Sequence, residues 1–355
     1  MEQPPMRKLS ITVADVARAA GVSKATAARV LGGYGTVSDK VRALVLETAT
    51  SLDYRPNELA RSMTTGRSGT IGVVVGDIEN PFFSSAVRGI ADVARMGGYT
   101  VILTNSGEDI DAEKAAVKTL RAKRVDGLIV SAANSYDFDH LQEISQSGCP
   151  LVLLDRALPS LSVDTVTTDD RAAAEQATAV LIRKGHRDIA YITACDTKDH
   201  RLKDLDDIRT ASVRLRIEGF MAVCSAAGIS APLDAVQLGA NGRDSCAKLS
   251  RALLQSPTPP SAIIASDSLI ALEVFKAARH LGLSIPDDLS LITFHDADWT
   301  TVTSPPITVV RQPVYQLGET VAALLIERIN GATDLARHIV VPTELIQRSS
   351  VSAKA

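Results

Sequence analysis

Across residues 11–31 the apolar positions repeat at helical spacing, with Val13, Val16, Ala17 and Ala20 at i, i+3, i+4 and i+7. Thr12 stands ahead of them with Asp15 three residues on, a variant of the capping box, so a helix is predicted to start at Val13. Gly21 can take the left-handed conformation that ends it, and Ser23 opens a second helix with Thr26, Ala27, Val30 and Leu31 on its inner stripe. A third stripe of Val41, Leu44, Val45, Thr48, Ala49 and Leu52 follows Ser38 and completes a three-helix unit built on a helix-turn-helix. Pro56 breaks the pattern, Asn57 can cap a further short helix, and residues 64–69 are small and polar, as in a linker.

Beyond Gly69 the period changes. Apolar runs of strand length at 71–75, 100–103, 127–130 and 151–154 are separated by helical stretches starting near Phe82, Asp111 and Phe138. A second series has runs at 189–192, 236–238, 262–265 and 289–293, with helices near Arg171, Ser212, Asp244 and Ser268. Continuous apolar strands between helices predict parallel sheets covered on both faces, and two series predict two doubly wound subdomains of an α/β protein with a cleft between them.

The outward positions of the second helix are Ser23, Lys24, Ala25 and Arg29, which can donate to phosphates or base edges or are too small to obstruct a groove. Residues 1–67 hold ten Lys and Arg against six Asp and Glu, while the whole chain of 355 residues carries a net charge of -3, so a head of about +4 precedes a body of about -7. That asymmetry directs nucleic acid to the head alone. No window approaches the apolar length of a membrane span, and MEQPPMRKLS has no apolar run, so neither a span nor a signal peptide is expected and the protein should stay in the cytoplasm. Cys149, Cys195, Cys224 and Cys246 are scattered without a C-x-x-C, which argues against a zinc site or a disulfide framework.

No cofactor or catalytic constellation is expected either. Gly76 is followed by Asp77-Ile78-Glu79-Asn80-Pro81 instead of a dinucleotide-binding glycine pattern, and the phosphate-loop, H-E-x-x-H and G-x-S-x-G motifs are missing from the sequence.

The segments ITVADVARAAGVSKATAARVL, YRPNELARSM, GVVVGDIENPFF, RVDGLIV, LVLLDR, LIRKGHRDIAYI, RLRIEGF, IIASDSLIA, IPDDLSLITF and TVVRQPVYQLG span nearly the whole chain. In that order they resemble the LacI/GalR family of transcriptional regulators. The resemblance implies a helix-turn-helix headpiece (10–56), a hinge helix and linker (57–69), and an effector-binding core (70–350) like that of periplasmic sugar-binding proteins. The first subdomain would comprise 70–166 and 313–337 and the second 168–311 and 338–350, the chain crossing near Thr167, Gln312 and Arg337. It further implies a homodimer that reads a near-palindromic double-stranded DNA operator, represses a sugar-utilisation operon and answers to an effector in the cleft.

Carried onto this chain, the family pattern makes residues 23–31 the recognition helix. Lys24, Ala25 and Arg29 would read bases, with Thr12, Ser23 and Thr26 beside them. Asn57, Arg61 and Met63 fall on the hinge helix, Met63 replacing the usual leucine wedge of the minor groove. In the cleft the pattern points to Asn80, Phe82, Phe83, Asp155, Arg156, Ser212, Arg216, Asp267, His295 and Gln312. Planar donors, acceptors and an aromatic platform suit the hydroxyls and apolar ring of a sugar.

One departure bears on the ligand. Where the family usually has G-[YF]-D-[DN], this chain has Thr293-Phe294-His295-Asp296, an imidazole in place of an acid. Unless Asp296 turns in to replace that acid, Arg156, Arg216 and a charged His295 stand against Asp155, so the pocket is expected to be positive and its effector a sugar acid or sugar phosphate, a neutral sugar being the alternative. Residues 196–208, DTKDHRLKDLDDI, are expected as a solvated loop, a cleft lid being the other reading. Two further classes stay open: a transport sugar-binding protein would have no use for the helix-turn-helix, and a sugar-metabolising enzyme would need an acid-base pair or phosphate loop.

Overall fold

The computed structural model describes residues 11–32, 34–54, 66–197 and 200–354, so the hinge-helix candidates Asn57, Arg61 and Met63 lie outside the described residues. The chain divides after Gly69 into two compact units.

In the first unit, α1 (Val13–Ala19), α2 (Lys24–Gly32) and α3 (Asp39–Ser51) enclose Val16, Ala17, Ala20, Ala27, Val30, Val45 and Ala49. Thr12 and Asp15 form the capping box, the Thr12 N–H donating to Asp15 Oδ2 at 3.0 Å. Ser23 Oγ accepts from the Thr26 N–H at 3.0 Å and so caps α2, while Gly21 takes φ +64° in the turn between the helices. Leu44 departs from the expected stripe and is 45% exposed. The inward line on α3 runs Val41, Val45, Ala49, and one residue back from Val45 is a rotation of about 100°.

The second unit holds two six-stranded sheets. The first joins β1 (Thr70–Val75), β2 (Thr100–Asn105), β3 (Gly127–Val130), β4 (Leu151–Leu154), β5 (Asp164–Thr168) and β11 (His338–Val341) in the order β2-β1-β3-β4-β5-β11, all parallel. The second joins β6 (Ile189–Ile192), β7 (Val236–Gln237), β8 (Ala262–Ala265), β9 (Ser290–Phe294), β10 (Thr308–Arg311) and β12 (Glu344–Ile346) as β7-β6-β8-β9-β10-β12, with β12 antiparallel. Helices α4 (Pro81–Met96), α5 (Ile110–Ala122), α6 (Asp139–Gln146) and α12 (Val314–Ile329) serve the first sheet. Helices α7 (Asp170–Arg183), α8 (Ala211–Ala226), α9 (Arg243–Leu254) and α10 (Ser268–His280) serve the second, and α11 (Trp299–Val302) is a single turn after β9. Among the described residues no helix is long and apolar enough to cross a membrane.

Two strands escape a reading by apolar runs. β5, DTVTT, is fully buried although most of its residues are polar. β11 pairs with β5, Val340 opposite Thr167, so His338–Val341 belongs to the first sheet and not to the second subdomain as expected. The third crossing therefore falls at 342–343, past Arg337. The reason is local: the Arg337 N–H donates to Asp164 Oδ1 at 2.7 Å and starts β11 on the β5 edge.

Asp164 organises that corner. Its oxygens accept from Arg328 Nε and Nη2, both at 2.8 Å, and from Arg337 Nη2 at 3.2 Å. Burial opposes ionisation, but these bonds prevail and hold the carboxyl down at about 2. Its contribution is therefore present above the ordinary carboxylate range and lost as pH falls towards 2. Asp164→Ala removes the carboxylate that joins the two arginines, leaving Arg337 only Glu327 and Arg328 only the Ala332, Asp334 and Leu335 carbonyls, and should cost about 3 kcal/mol at pH 7. A urea midpoint within error of wild type would show the corner to be held by packing alone.

Candidate functional site

On the head, the structure places Ser23, Lys24, Ala25 and Arg29 together on the exposed face of α2, with Thr26 half-buried and its hydroxyl 2.8 Å from that of Ser23. The first turn of α2 carries no acid, so its positive dipole end and Lys24 present an uncompensated face to phosphate. Thr12 is exposed but its hydroxyl is engaged with Asp15 at 2.7 Å.

In the core, half of the candidates follow the carboxyl end of a strand, the edge at which open α/β sheets bind ligands, and the others belong to helices α4 and α8. Asp155 and Arg156 follow β4, Asp267 follows Ser266 at the end of β8, and His295 follows β9. The helix α8 brings Ser212 and Arg216 from the second subdomain to meet Asp155 of the first. The Ser212 hydroxyl donates to Asp155 Oδ2 at 3.1 Å, and all three residues are buried.

Both arginines are already paired. Arg156 Nη1 and Nη2 donate to the two carboxylate oxygens of Glu108 at 2.6 and 2.7 Å, and Nη1 also donates to the Ala132 carbonyl at 3.0 Å. Arg216 Nε donates to Asp170 Oδ1 at 2.6 Å and Nη1 to the Ser266 carbonyl at 3.1 Å, with the guanidinium 4.4 Å over the Phe294 ring. Burial pushes Asp170 up to about 6, Arg216 opposing and Asp155 adding to the shift, and burial likewise raises Asp155. Burial lowers His295, against the pull of Asp296 and Asp298, and so favours the neutral imidazole. Asp296 does not turn in to replace an acid: it accepts from Arg348 Nη2 at 2.8 Å and from Arg311 at 3.1 Å. The expected surplus of positive charge is thus offset, because each buried arginine has its own carboxylate and burial disfavours a charged His295.

Other candidates have structural duties. Asn80 caps α4 by accepting from the Phe82 N–H at 3.0 Å, and Asp267 caps α10 by accepting from the Leu269 and Ile270 N–H groups at 2.8 and 2.9 Å. Phe82 and Phe83 meet edge to face at 5.2 Å inside the first subdomain's core, and Arg156 lies 5.7 Å over Phe83. His295 and Gln312 line a cavity of about 410 Å³ with Ser85, Pro313 and Tyr315. A larger open groove of about 690 Å³ beside Glu175, Arg183 and Glu344 contains no buried unpartnered polar side chain.

Several atoms of these residues are buried without a hydrogen-bond partner: Asp155 Oδ1, Asp170 Oδ2, Arg156 Nε, His295 Nδ1 and Gln312 Nε2, the last two residues lining the cavity of about 410 Å³. They are a mixture of donors and acceptors. Among the described residues no group of three or more His, Cys, Asp or Glu could hold a metal ion.

In the charged segment expected as a solvated loop, Asp196, His200, Arg201, Lys203, Asp204 and Asp206 are exposed, while part of it is tied down against the core. Leu202 and Ile208 are buried, the Tyr136 hydroxyl donates to Asp206 Oδ1 at 3.2 Å, and the Ser135 N–H donates to the Arg209 carbonyl at 2.8 Å. Arg209 lies 5.2 Å over the Tyr136 ring. Sequence reasoning missed Glu108 and Asp170. Asp170 follows the polar strand β5, which shows no apolar run, and Glu108 follows β2, whose strand-end position was its only signal.

A helix-turn-helix unit followed by a two-lobed α/β core, with polar groups gathered at strand ends between the lobes, defines a ligand-responsive regulator. The model of lacI family bacterial regulatory proteins matches residues 12–57, and that of periplasmic binding proteins and the sugar-binding domain of the LacI family matches residues 68–349. The ribose operon repressor of Halalkalibacterium halodurans is 33% identical over 339 residues, covering 96% of each chain. A lac repressor dimer solved on operator with an anti-inducer superposes with a TM-score of 0.82 at 25% identity, covering 97% of this chain and 100% of that one. A LacI-family regulator from Enterococcus faecium with bound ribose gives a TM-score of 0.68 at 28% identity over 81% of this chain and 100% of that one. The chain belongs to the LacI family of transcriptional regulators.

Proposed function

We propose that this protein is a dimeric repressor of a sugar-utilisation operon, binding a near-palindromic operator through Ser23, Lys24, Ala25, Thr26 and Arg29 and answering to an uncharged sugar in the core cleft. The observation that carries the ligand reading is the mixed set of unpartnered buried atoms, Asp155 Oδ1, Asp170 Oδ2, Arg156 Nε, His295 Nδ1 and Gln312 Nε2. Each hydroxyl of a polyol is both donor and acceptor, so it satisfies either kind without adding charge. The arginines need no counter-ion from the ligand. The ribose-bound relative and the operator-bound lac repressor support the same reading.

A thermal-shift screen of neutral sugars against sugar acids and phosphates tests it, since a ligand at about 100 times its Kd adds roughly 2.7 kcal/mol of stability. A hit should also change retention of DNA in a gel shift. Stabilisation by charged sugars alone would overturn the uncharged reading.

On the DNA side, selection from a random duplex pool should return a near-palindromic site. Arg29→Ala should then weaken binding to that site by about 1–3 kcal/mol and relax preference at one base pair per half-site. Equal weakening on every sequence would make Arg29 a phosphate contact.

A further inference from the structure

Glu108 belongs to none of the positions that the family pattern singles out, yet its geometry is specific. Gly107 and Glu108 are consecutive left-handed residues, φ +62° and +61°, an uncommon conformation for a glutamate. The turn throws the carboxylate across the end of β1. A Cβ on Gly76 would lie 1.9 Å from Glu108 Oε1, so this placement requires glycine at 76. The carboxylate then grips Arg156 with both oxygens, at 2.6 and 2.7 Å.

Arg156 is the residue a negatively charged ligand would seek. It is 5% exposed, and its Nε makes no hydrogen bond to any protein group although Asp155 Oδ2 lies 3.7 Å away. Bidentate pairing with a carboxylate is the strongest arrangement a guanidinium forms, and here the protein itself supplies the carboxylate. The Glu108 side chain is 40% exposed while that of Arg156 is buried, so the pair connects a buried cation to solvent.

We infer that Glu108 is a specificity-determining residue of the cleft, a built-in carboxylate that occupies the face of Arg156 an anionic ligand would take. The inference rests on the cleft being the effector site and adds a mechanism for its choice of ligand class. An incoming carboxylate or phosphate must displace Glu108 and then sit beside Asp155 and Asp170, with Arg156 and Arg216 the two buried cations between them. A hydroxyl meets neither obstacle: it can donate to Asp155 Oδ1 or accept from Arg156 Nε while the Glu108 pair stays closed.

The test removes the internal carboxylate and offers one from solution. Wild type, Glu108→Ala and Glu108→Ala with Arg156→Met are titrated with acetate and with inorganic phosphate by calorimetry and thermal melting, at constant ionic strength against chloride. Glu108→Ala should bind acetate saturably and at least about tenfold more tightly than wild type, and the double variant should lose that gain. Glu108→Gln keeps the shape and drops the charge, so it should gain in the same direction and serves if the alanine variant does not melt cooperatively. Wild type binding acetate as tightly as the variants, or no gain in a folded Glu108→Gln protein, overturns the inference. If no sugar of either charge stabilises wild type, the effector reading fails, while the acetate contrast still decides whether Glu108 masks Arg156.

Discussion

Gly318→Ala is expected to destabilise the core by about 3 kcal/mol or more, the signature of overpacking where the neighbours cannot yield. A Cβ at 318 on α12 would lie 2.0 Å from the Ala86 carbonyl oxygen of α4, and one at Gly89 would lie 2.3 Å from the Tyr315 carbonyl oxygen. The obstacles are backbone atoms of two 16-residue helices, so no rotamer change relieves them and the helices must part. Parting them loosens Phe83, Ala86, Ile90, Leu317, Val321 and Leu325, all in one core cluster. It also moves the cavity wall, because Ser85 on α4 and Val314 and Tyr315 on α12 line it. Gly148→Ala is the control: φ is +77° with open space around it, so only the left-handed conformation is penalised, about 1 kcal/mol. Urea unfolding followed by circular dichroism should rank the two, and equal midpoint shifts would mean that the helices slide apart at little cost.

That close crossing was not legible in the sequence, whereas the two-sheet architecture was. Runs such as GVVV and LVLL announce strands because both sheet faces are covered, and the Thr12 and Asp15 box announces α1 because it is a local hydrogen-bond pattern. β5 stayed hidden because its polar residues are buried at the joint between subdomains. The same limit applies to the cleft. Residue type and strand-end position flag Arg156 and Arg216, but Glu108 and Asp170 lie 48 and 46 residues away from them, and which acid neutralises which base is a property of the fold. The expected positive pocket rested on that missing knowledge. Phe82 and Phe83 likewise show an aromatic pair in sequence, while their burial in the core is decided by α12 packing over them.

Replacing Arg216 by methionine should be the most damaging single change in the cleft, and its cost should grow with pH. The side chain is buried among Asp170, the Ser266 carbonyl and the Phe294 ring, with Asp155 close enough to raise its affinity for protons. Methionine keeps much of the volume over Phe294 but leaves Asp170 and Asp155 as buried carboxylates with Arg156 the nearest cation, 3.7 Å from Asp155. Breaking such a pair by deleting one partner costs about 3–5 kcal/mol, because the remaining charge is stranded.

The pH dependence follows from Asp170. Its folded value, pushed up by burial to about 6 from an ordinary 3.8, means that the folded chain holds the proton more tightly than the unfolded chain. The stability linked to that proton is complete below 3.8 and is lost as pH rises through about 6. Without Arg216 the carboxyl rises further and the loss continues to higher pH, so the deficit of Arg216→Met relative to wild type should widen between about pH 5.5 and 8. Adding Asp170→Asn to Arg216→Met should narrow it again, since a neutral amide needs no cation. Asp164 does not interfere, because its transition lies towards about 2. Urea midpoints at the two pH values decide the matter: parallel curves for wild type and Arg216→Met would show that Asp170 is not stranded by the loss of its arginine.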